Sequence, residues 1–235
     1  MAYEKKDRAL LYERFAKLQV TNKEKSRVIQ KILNNIYPKV PTPLNYRNTF
    51  TLLVSVLLSA QCTDVNVNNV TKDIYPKYNR PKHFVKLGRK KIERLIKKIG
   101  IFRIKAKSIY YLSKTLVEKY KSKVPNTYKE LEQLPGVGHK TASVVMSQGF
   151  GYAAFPVDTH IHRLAQRWGL TNGKNVVQTE KDLKAIFPKS NWNKLHLQII
   201  WYGREYCKAR DCYGITCKIC KSCYPNRKKK VFSKE

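Results

Sequence analysis

Leu134-Pro135-Gly136-Val137-Gly138-His139-Lys140-Thr141 is the stretch that most restricts what this chain can fold into. It lies between two runs patterned as helices, 127–134 and 139–149, so the backbone must reverse sharply between them. Gly136 and Gly138, on either side of Val137, can take positive φ without a Cβ clash. Their backbone N–H groups can also approach a phosphate oxygen closely, at the positive end of a helix starting near His139. Lys140 falls in the first turn of that helix, and Val157-Asp158-Thr159-His160 follows after a short spacer. A phosphate grip beside an amine and a carboxylate points to chemistry on nucleic acid.

Around this hairpin the chain reads as helix almost throughout. Residues 3–19 and 24–36 carry apolar side chains at three- and four-residue steps, among them Leu10, Leu11, Phe15 and Leu18, then Val28, Ile32, Leu33 and Ile36. Pro38, Pro41 and Pro43 form a linker. Helices are expected over 48–60, 65–75, 81–86, 89–98, 103–120, 127–134, 139–149, 158–168, 175–186 and 191–206. Thr127 with Glu130 marks a capping box. No stretch alternates strictly enough for a strand, and the fold class expected is all-α.

Lys and Arg number 48 against 16 Asp and Glu, a net charge of +32. Part of this reflects heavy lysine usage, yet so large an excess favours a polyanion over an acidic small molecule. No apolar segment follows Met1, and the run at 50–60 is too short to span a bilayer and contains Thr51, Ser55 and Ser59. A soluble, cytoplasmic protein without membrane partners is therefore expected.

The cysteines are unevenly placed. Cys62 stands alone at the end of an apolar helix and reads as a small packing residue. Cys207, Cys212, Cys217, Cys220 and Cys223 crowd together near the end, which in an intracellular chain points to metal. The Cys217-x2-Cys220-x2-Cys223 triplet resembles that of bacterial ferredoxins. Zinc suits thiolates at such spacings equally well, and spacing alone leaves both open.

Taken in order, the motif at 57–61 (Leu57-Leu58-Ser59-Ala60-Gln61), the hairpin at 134–141, Val157–His160, Gly173-Lys174-Asn175-Val176 and a cysteine-rich end after Tyr202-Gly203-Arg204 resemble the endonuclease III family. These are helix-hairpin-helix DNA glycosylases with AP lyase activity, and the likeness runs from about residue 41 to 228. It implies two helical domains with the DNA cleft between them: 42–152, carrying the hairpin, and 1–41 plus 153–235, carrying an iron–sulfur loop.

The resemblance also implies roles. Lys140 matches the nucleophile that attacks C1′ of the damaged nucleotide and forms a Schiff base, and Asp158 matches the catalytic aspartate. A free lysine has a pKa of about 10.4, so burial, the helix N-terminus and neighbouring cations are expected to help free the amine of its proton. A close Lys140–Asp158 ion pair would oppose this, so the two are expected to flank the sugar instead. Gln61 matches a residue that fills the gap left by the extruded base. Gly136, Val137, Gly138 and His139 would lie along the DNA backbone, with simple solvation of His139 also open. Asp64 is placed to cap or brace the next helix.

For the metal, the resemblance favours a 4Fe-4S cluster. The family spaces its ligands by six, two and five residues, whereas nine, two and two separate Cys207, Cys217, Cys220 and Cys223 here. That set is preferred, with Cys212 replacing Cys207 or Cys223 as the alternative. Lys208, Arg210, Lys218 and Lys221 would let these loops grip phosphates. The implied substrate is duplex DNA with oxidised pyrimidines or abasic sites, bound by a monomer at the nucleoid. A monofunctional adenine mismatch glycosylase and a non-catalytic DNA-binding module are the alternatives, and Lys140 argues against the first.

Overall fold

The computed structural model describes residues 21–233, which leaves the expected helix at 3–19 outside the described residues. Among the described residues the regular structure is helical throughout, with no strand. The helices are α1 (Asn22–Ile36), α2 (Thr49–Ser59), α3 (Asp64–Thr71), α4 (Pro81–Leu95), α5 (Phe102–Lys119), α6 (Tyr128–Glu132), α7 (His139–Val144), α8 (Thr159–Trp168), α9 (Val176–Ile186), α10 (Trp192–Glu205) and α11 (Lys218–Cys223).

The chain divides into two units. One comprises Lys39–Asp158 with Pro188–Gln198. At its core is α2, whose residues from Phe50 to Leu58 are all buried, as a helix apolar on every side must be. The polar members of α2 are satisfied internally: Thr51 and Asn48 form a reciprocal cap, and Ser55 Oγ lies 2.6 Å from the Tyr75 hydroxyl. Helix α3 ends at Thr71, and the turns that follow bring Tyr75 to this position. Helices α4 and α5 pack against one another and supply Phe84, Ile92, Ala106, Ile109, Leu112 and Leu116 to the same core. The helices expected at 81–86 and 89–98 form one element broken at Gly88, where φ is +68°.

Two local expectations change. Thr127 accepts the Glu130 N–H, but the Glu130 carboxylate takes the Thr127 hydroxyl at 2.6 Å instead of the backbone N–H, so only half of a capping box forms. The helix expected over 139–149 relaxes after α7 into a π-helical turn, Val145–Gly149.

The other unit comprises the described part of Met1–Pro38 with Thr159–Phe187 and Ile199–Glu235. Helix α1 opens with the reciprocal Thr21–Glu24 capping box and buries Ile29 and Leu33. Helix α11 packs on α1 and α8. Tyr224, just beyond α11, sits between Lys25, whose Nζ is 4.1 Å from the ring centre, and Arg227 at 3.6 Å. Lys25 also donates to the Tyr224 hydroxyl at 2.9 Å, so residues 199 positions apart are joined. That tie explains why both ends of the described chain share a unit.

The boundaries differ from 42–152 and its complement. Asp158 falls with Lys140, and 188–198 joins them. The cause is Asn193: its side chain accepts the Ala154 N–H at 3.0 Å and donates to Tyr152 O at 3.1 Å, holding the segment before Asp158.

Candidate active site and metal centre

The hairpin is built around one glycine more than the other. Gly136 has φ +80°, and a Cβ there would meet Ser108 Cβ at 2.8 Å and Leu57 Cδ1 at 3.1 Å. Gly138 is extended, at φ −96° and ψ 176°, and a Cβ there would meet nothing within 4 Å. The first glycine is thus required by the reversal and by packing, while the second leaves open space in front of the first turn of α7. Val137 between them is buried, and its N–H closes the turn on Leu134 O at 3.0 Å. His139 is exposed but engaged: Nδ1 lies 2.7 Å from Glu132 Oε1, and the ring stacks on Tyr128 with centroids 5.4 Å apart.

Lys140 stands in the first turn of α7, as its spacing from Gly138 requires. It is exposed, so the burial expected for its amine is not present in the free protein. Asp158, half-buried, immediately precedes α8. The charges of Lys140 and Asp158 are both felt at one buried group, His196. Burial pushes His196 down to about 4, the Asp158 carboxylate pulls the other way and Lys140 adds to the depression. His196 lies in the first half of α10, is 2% exposed, and its Nδ1 has no hydrogen-bond partner within the protein. It is therefore a neutral imidazole at ordinary pH, within electrostatic reach of both a cation and an anion. Sequence reasoning missed it, because a lone histidine in an apolar helix resembles a core residue.

Gln61 is exposed and takes left-handed backbone geometry at φ +53°. For a residue other than glycine this conformation is uncommon, and such strain gathers at functional sites. Asp64 lies in the first turn of α3, where its charge suits the helix dipole, but the capping side chain is that of Thr63.

The other unit holds the thiols. Sγ atoms of Cys207, Cys212, Cys217 and Cys220 all lie within 4.8 Å of one another, and all four residues are buried. Cys212 thus stands where the preferred set had Cys223. Cys217, Cys220 and Cys223 step along α11 and its cap, and six helical residues rise about 9 Å. That carries Cys223 away from Cys217, whereas the loop before the helix folds back until the Cys217 N–H reaches Cys212 Sγ at 3.4 Å. Within the group, thiol hydrogen bonds from Cys207 and Cys220 hold Cys217 down at about 2, and the same contact pushes Cys207 up to about 12.

Buried arginines hold this loop, and sequence reasoning missed them too. Arg167, 1% exposed, donates to Lys208 O and Ala209 O at 2.8 Å and to Cys207 Sγ at 3.4 Å. Arg163 donates to Gly203 O at 3.1 Å and Cys207 O at 3.2 Å. Their i, i+4 spacing on α8 was the available signal, placing two cations on one face of that helix.

Four converging buried thiols, backed by a guanidinium, suit a thiolate-bound metal in number, type and charge. The Cys207 and Cys220 sulfurs are 3.9 Å apart, and those of Cys212 and Cys220 3.8 Å. Zinc–sulfur bonds of about 2.3 Å in a tetrahedron give an edge of about 3.8 Å.

Residues 54–189 match the HhH-GPD superfamily base excision DNA repair protein family. The chain is 40% identical over 198 residues to endonuclease III of Bacillus subtilis, covering 84% of this chain and 90% of that protein. It is 41% identical over 189 residues to endonuclease III of Escherichia coli, covering 80% and 90%. The structure of a trapped endonuclease III–DNA covalent intermediate superposes with a TM-score of 0.80 at 39% identity, covering 84% of this chain and 93% of that one. A non-covalent endonuclease III–DNA complex gives the same TM-score at 38% identity.

Proposed function

The chain belongs to the endonuclease III family of the HhH-GPD superfamily, and from that premise we propose that it is a base-excision-repair DNA glycosylase that also cleaves the strand as an AP lyase. The observation that carries this reading is the placement of Lys140 at the head of α7, behind the hairpin, in one unit with Asp158 and under a common electrostatic influence at His196.

The hairpin holds a phosphate while the damaged nucleotide leaves the stack, at a cost of a few kcal/mol that is smaller for a damaged base. Gln61 fills the space left behind. The Lys140 nitrogen attacks C1′, the bond from C1′ to the base breaks, and the base leaves with the electron pair and takes up a proton. Asp158 stabilises cationic character at the sugar as that bond breaks. Loss of a proton from nitrogen and opening of the sugar ring give a Schiff base. Removal of a C2′ proton then expels the 3′ oxygen and cuts the strand on that side. The nucleophile must be a neutral amine. Because Lys140 is exposed, its desolvation has to come from bound DNA, aided by the positive end of the helix.

The substrates are oxidised pyrimidines and abasic sites in duplex DNA, and the protein works as a monomer at the nucleoid. Among the described residues no helix is long and apolar enough to cross a membrane. Cys207, Cys212, Cys217 and Cys220 would hold a 4Fe-4S cluster, which would brace the surrounding basic loops. A single zinc ion is the second reading, since four buried thiols within 4.8 Å of one another also suit a tetrahedral thiolate site.

Borohydride trapping on an oligonucleotide with thymine glycol or an abasic site tests the mechanism. A covalent adduct formed by the wild-type chain and lost in Lys140→Gln supports it. Base release without an adduct points to a monofunctional glycosylase, and binding alone to a DNA-binding module. Iron, acid-labile sulfide and zinc analysis of fresh protein separates the two metal readings.

A further inference from the structure

The carboxyl-terminal end of α2 leads directly into Gln61, and the last carbonyls of any helix lack partners within it. Here they are collected individually. Ser59 Oγ donates to Val56 O at 2.8 Å, the Cys62 N–H to Ser59 O at 3.1 Å, and Lys105 Nζ to Leu58 O at 2.9 Å and Ala60 O at 2.5 Å. Lys105 comes from α5 and is 3% exposed. A lysine so placed is unusual. Burial alone lowers its pKa, and an ammonium taken from water needs strong acceptors. The negative end of the α2 dipole and two carbonyls provide them.

The same network reaches the turn before α5. Asn66 Nδ2 lies 3.3 Å from Cys62 Sγ and donates to Lys98 O at 3.0 Å. A Cβ on Gly100 would stand 3.6 Å from Gln61 O, and Ile101 next to it is also left-handed, at φ +50°. Two turns holding strained residues are therefore pinned together by Lys105 on one side and Asn66 on the other.

We propose that Lys105 is a positioning residue for Gln61, its buried ammonium tying off α2 and holding the turn at 60–61 in the left-handed conformation that presents Gln61 to the duplex. This rests on the reading of Gln61 as the residue that fills the gap left by the extruded base. A lysine that merely caps a helix would affect stability but not base extrusion through Gln61.

The test is single-turnover base release from a duplex carrying thymine glycol, with 2-aminopurine beside the lesion reporting unstacking, for the wild type, Lys105→Met, Gln61→Ala and the double variant. Misplacing a contributing group by about 1 Å costs up to about 100-fold, so Lys105→Met is expected to slow release and reduce the unstacking signal by tenfold to about 100-fold. In the Gln61→Ala background the same substitution is expected to change release by less than about threefold, because the residue it serves is gone. Normal release by Lys105→Met overturns the inference, as does full additivity with Gln61→Ala. Should Lys105→Met not fold, Lys105→Arg carries the same comparison, since its longer, planar head cannot reproduce both carbonyl contacts. A wild-type chain that releases no base refutes the proposed function itself, an outcome separate from these.

Discussion

Alanine at position 136 and alanine at position 138 should do opposite things to this protein. At Gly136 two costs add. A non-glycine residue in the left-handed region costs about 1–2 kcal/mol. The new Cβ would also stand 2.8 Å from Ser108 Cβ and 3.1 Å from Leu57 Cδ1, both on buried or part-buried helices that cannot swing aside as a flexible side-chain end could. Overpacking of this kind costs about 1–3 kcal/mol, which puts Gly136→Ala at about 2–5 kcal/mol. Ser108→Gly removes the nearest obstacle but leaves Leu57 Cδ1 at 3.1 Å, so the double variant should recover only part of the steric cost and keep the conformational part. At Gly138 neither cost applies. Its backbone is one that alanine adopts, which favours the variant by about 0.4–1 kcal/mol through the unfolded chain. Loss of a preferred N-cap residue offsets most of that gain. Gly138→Ala should therefore unfold in guanidinium at nearly the wild-type midpoint. Yet its methyl group would occupy the open space in front of α7, and affinity for an abasic-site duplex, read by fluorescence anisotropy at fixed salt, should fall tenfold or more, about 1.4 kcal/mol. Wild-type affinity in Gly138→Ala would falsify the claim that this backbone meets a phosphate. A loss under about 1 kcal/mol in Gly136→Ala would refute the packing argument.

Three further outcomes are expected. Asp158→Asn should lower base release by about 10²- to 10⁴-fold in single-turnover assays while keeping duplex affinity within about threefold, and normal turnover would remove its assigned role. Cys212→Ser should lose the bound metal by elemental analysis and Cys223→Ser should keep it; the reverse result would restore the set with Cys223. His196, depressed from 6.5 to about 4, binds its proton more readily in the unfolded chain. Its contribution is thus complete above about pH 6.5 and lost as pH falls towards 4, at up to about 1.4 kcal/mol per pH unit. His196→Gln should flatten the acid limb of a stability–pH curve, and an unchanged limb would show that this group is not the one titrating.

What was legible in the sequence is what short-range physics governs. Apolar spacing located the helices between residues 22 and 205 to within a few residues, since each had apolar surface to bury, but it did not mark α11. The hairpin was legible because Gly136 has no substitute at its φ, and Lys140 follows it at fixed spacing along α7. The remainder depended on distant residues meeting. Asp158 shares a unit with Lys140 because Asn193 grips the segment between them, a contact spanning 39 residues. Cys212 and Cys223 flank the same two cysteines, and only the path of the loop decides which one turns inward. Lys105 looked like one more surface charge among 48 Lys and Arg, since nothing local to α5 shows that two carbonyls await it.

That last point bears on how the charge of +32 should be counted. Buried cations here serve the protein's own backbone and rings: Lys105 holds α2, Arg163 and Arg167 hold the thiol loop, and Lys25 holds Tyr224. None of these can release a counterion from DNA, because none can reach a phosphate without abandoning its partner. Lys208, Arg210, Lys218 and Lys221 are exposed and can. Lys25→Met and Lys221→Gln each remove one positive charge, so a net-charge account predicts equal weakening of DNA binding. A contact account does not. Each phosphate neutralised contributes about −0.9 to the slope of log affinity against log salt, so Lys221→Gln should make that slope shallower by about 0.9. Lys25→Met should lower the melting temperature and leave the slope where it was. Equal slopes in the two variants would mean that the overall field, and not the exposed loops near the thiols, draws the duplex in.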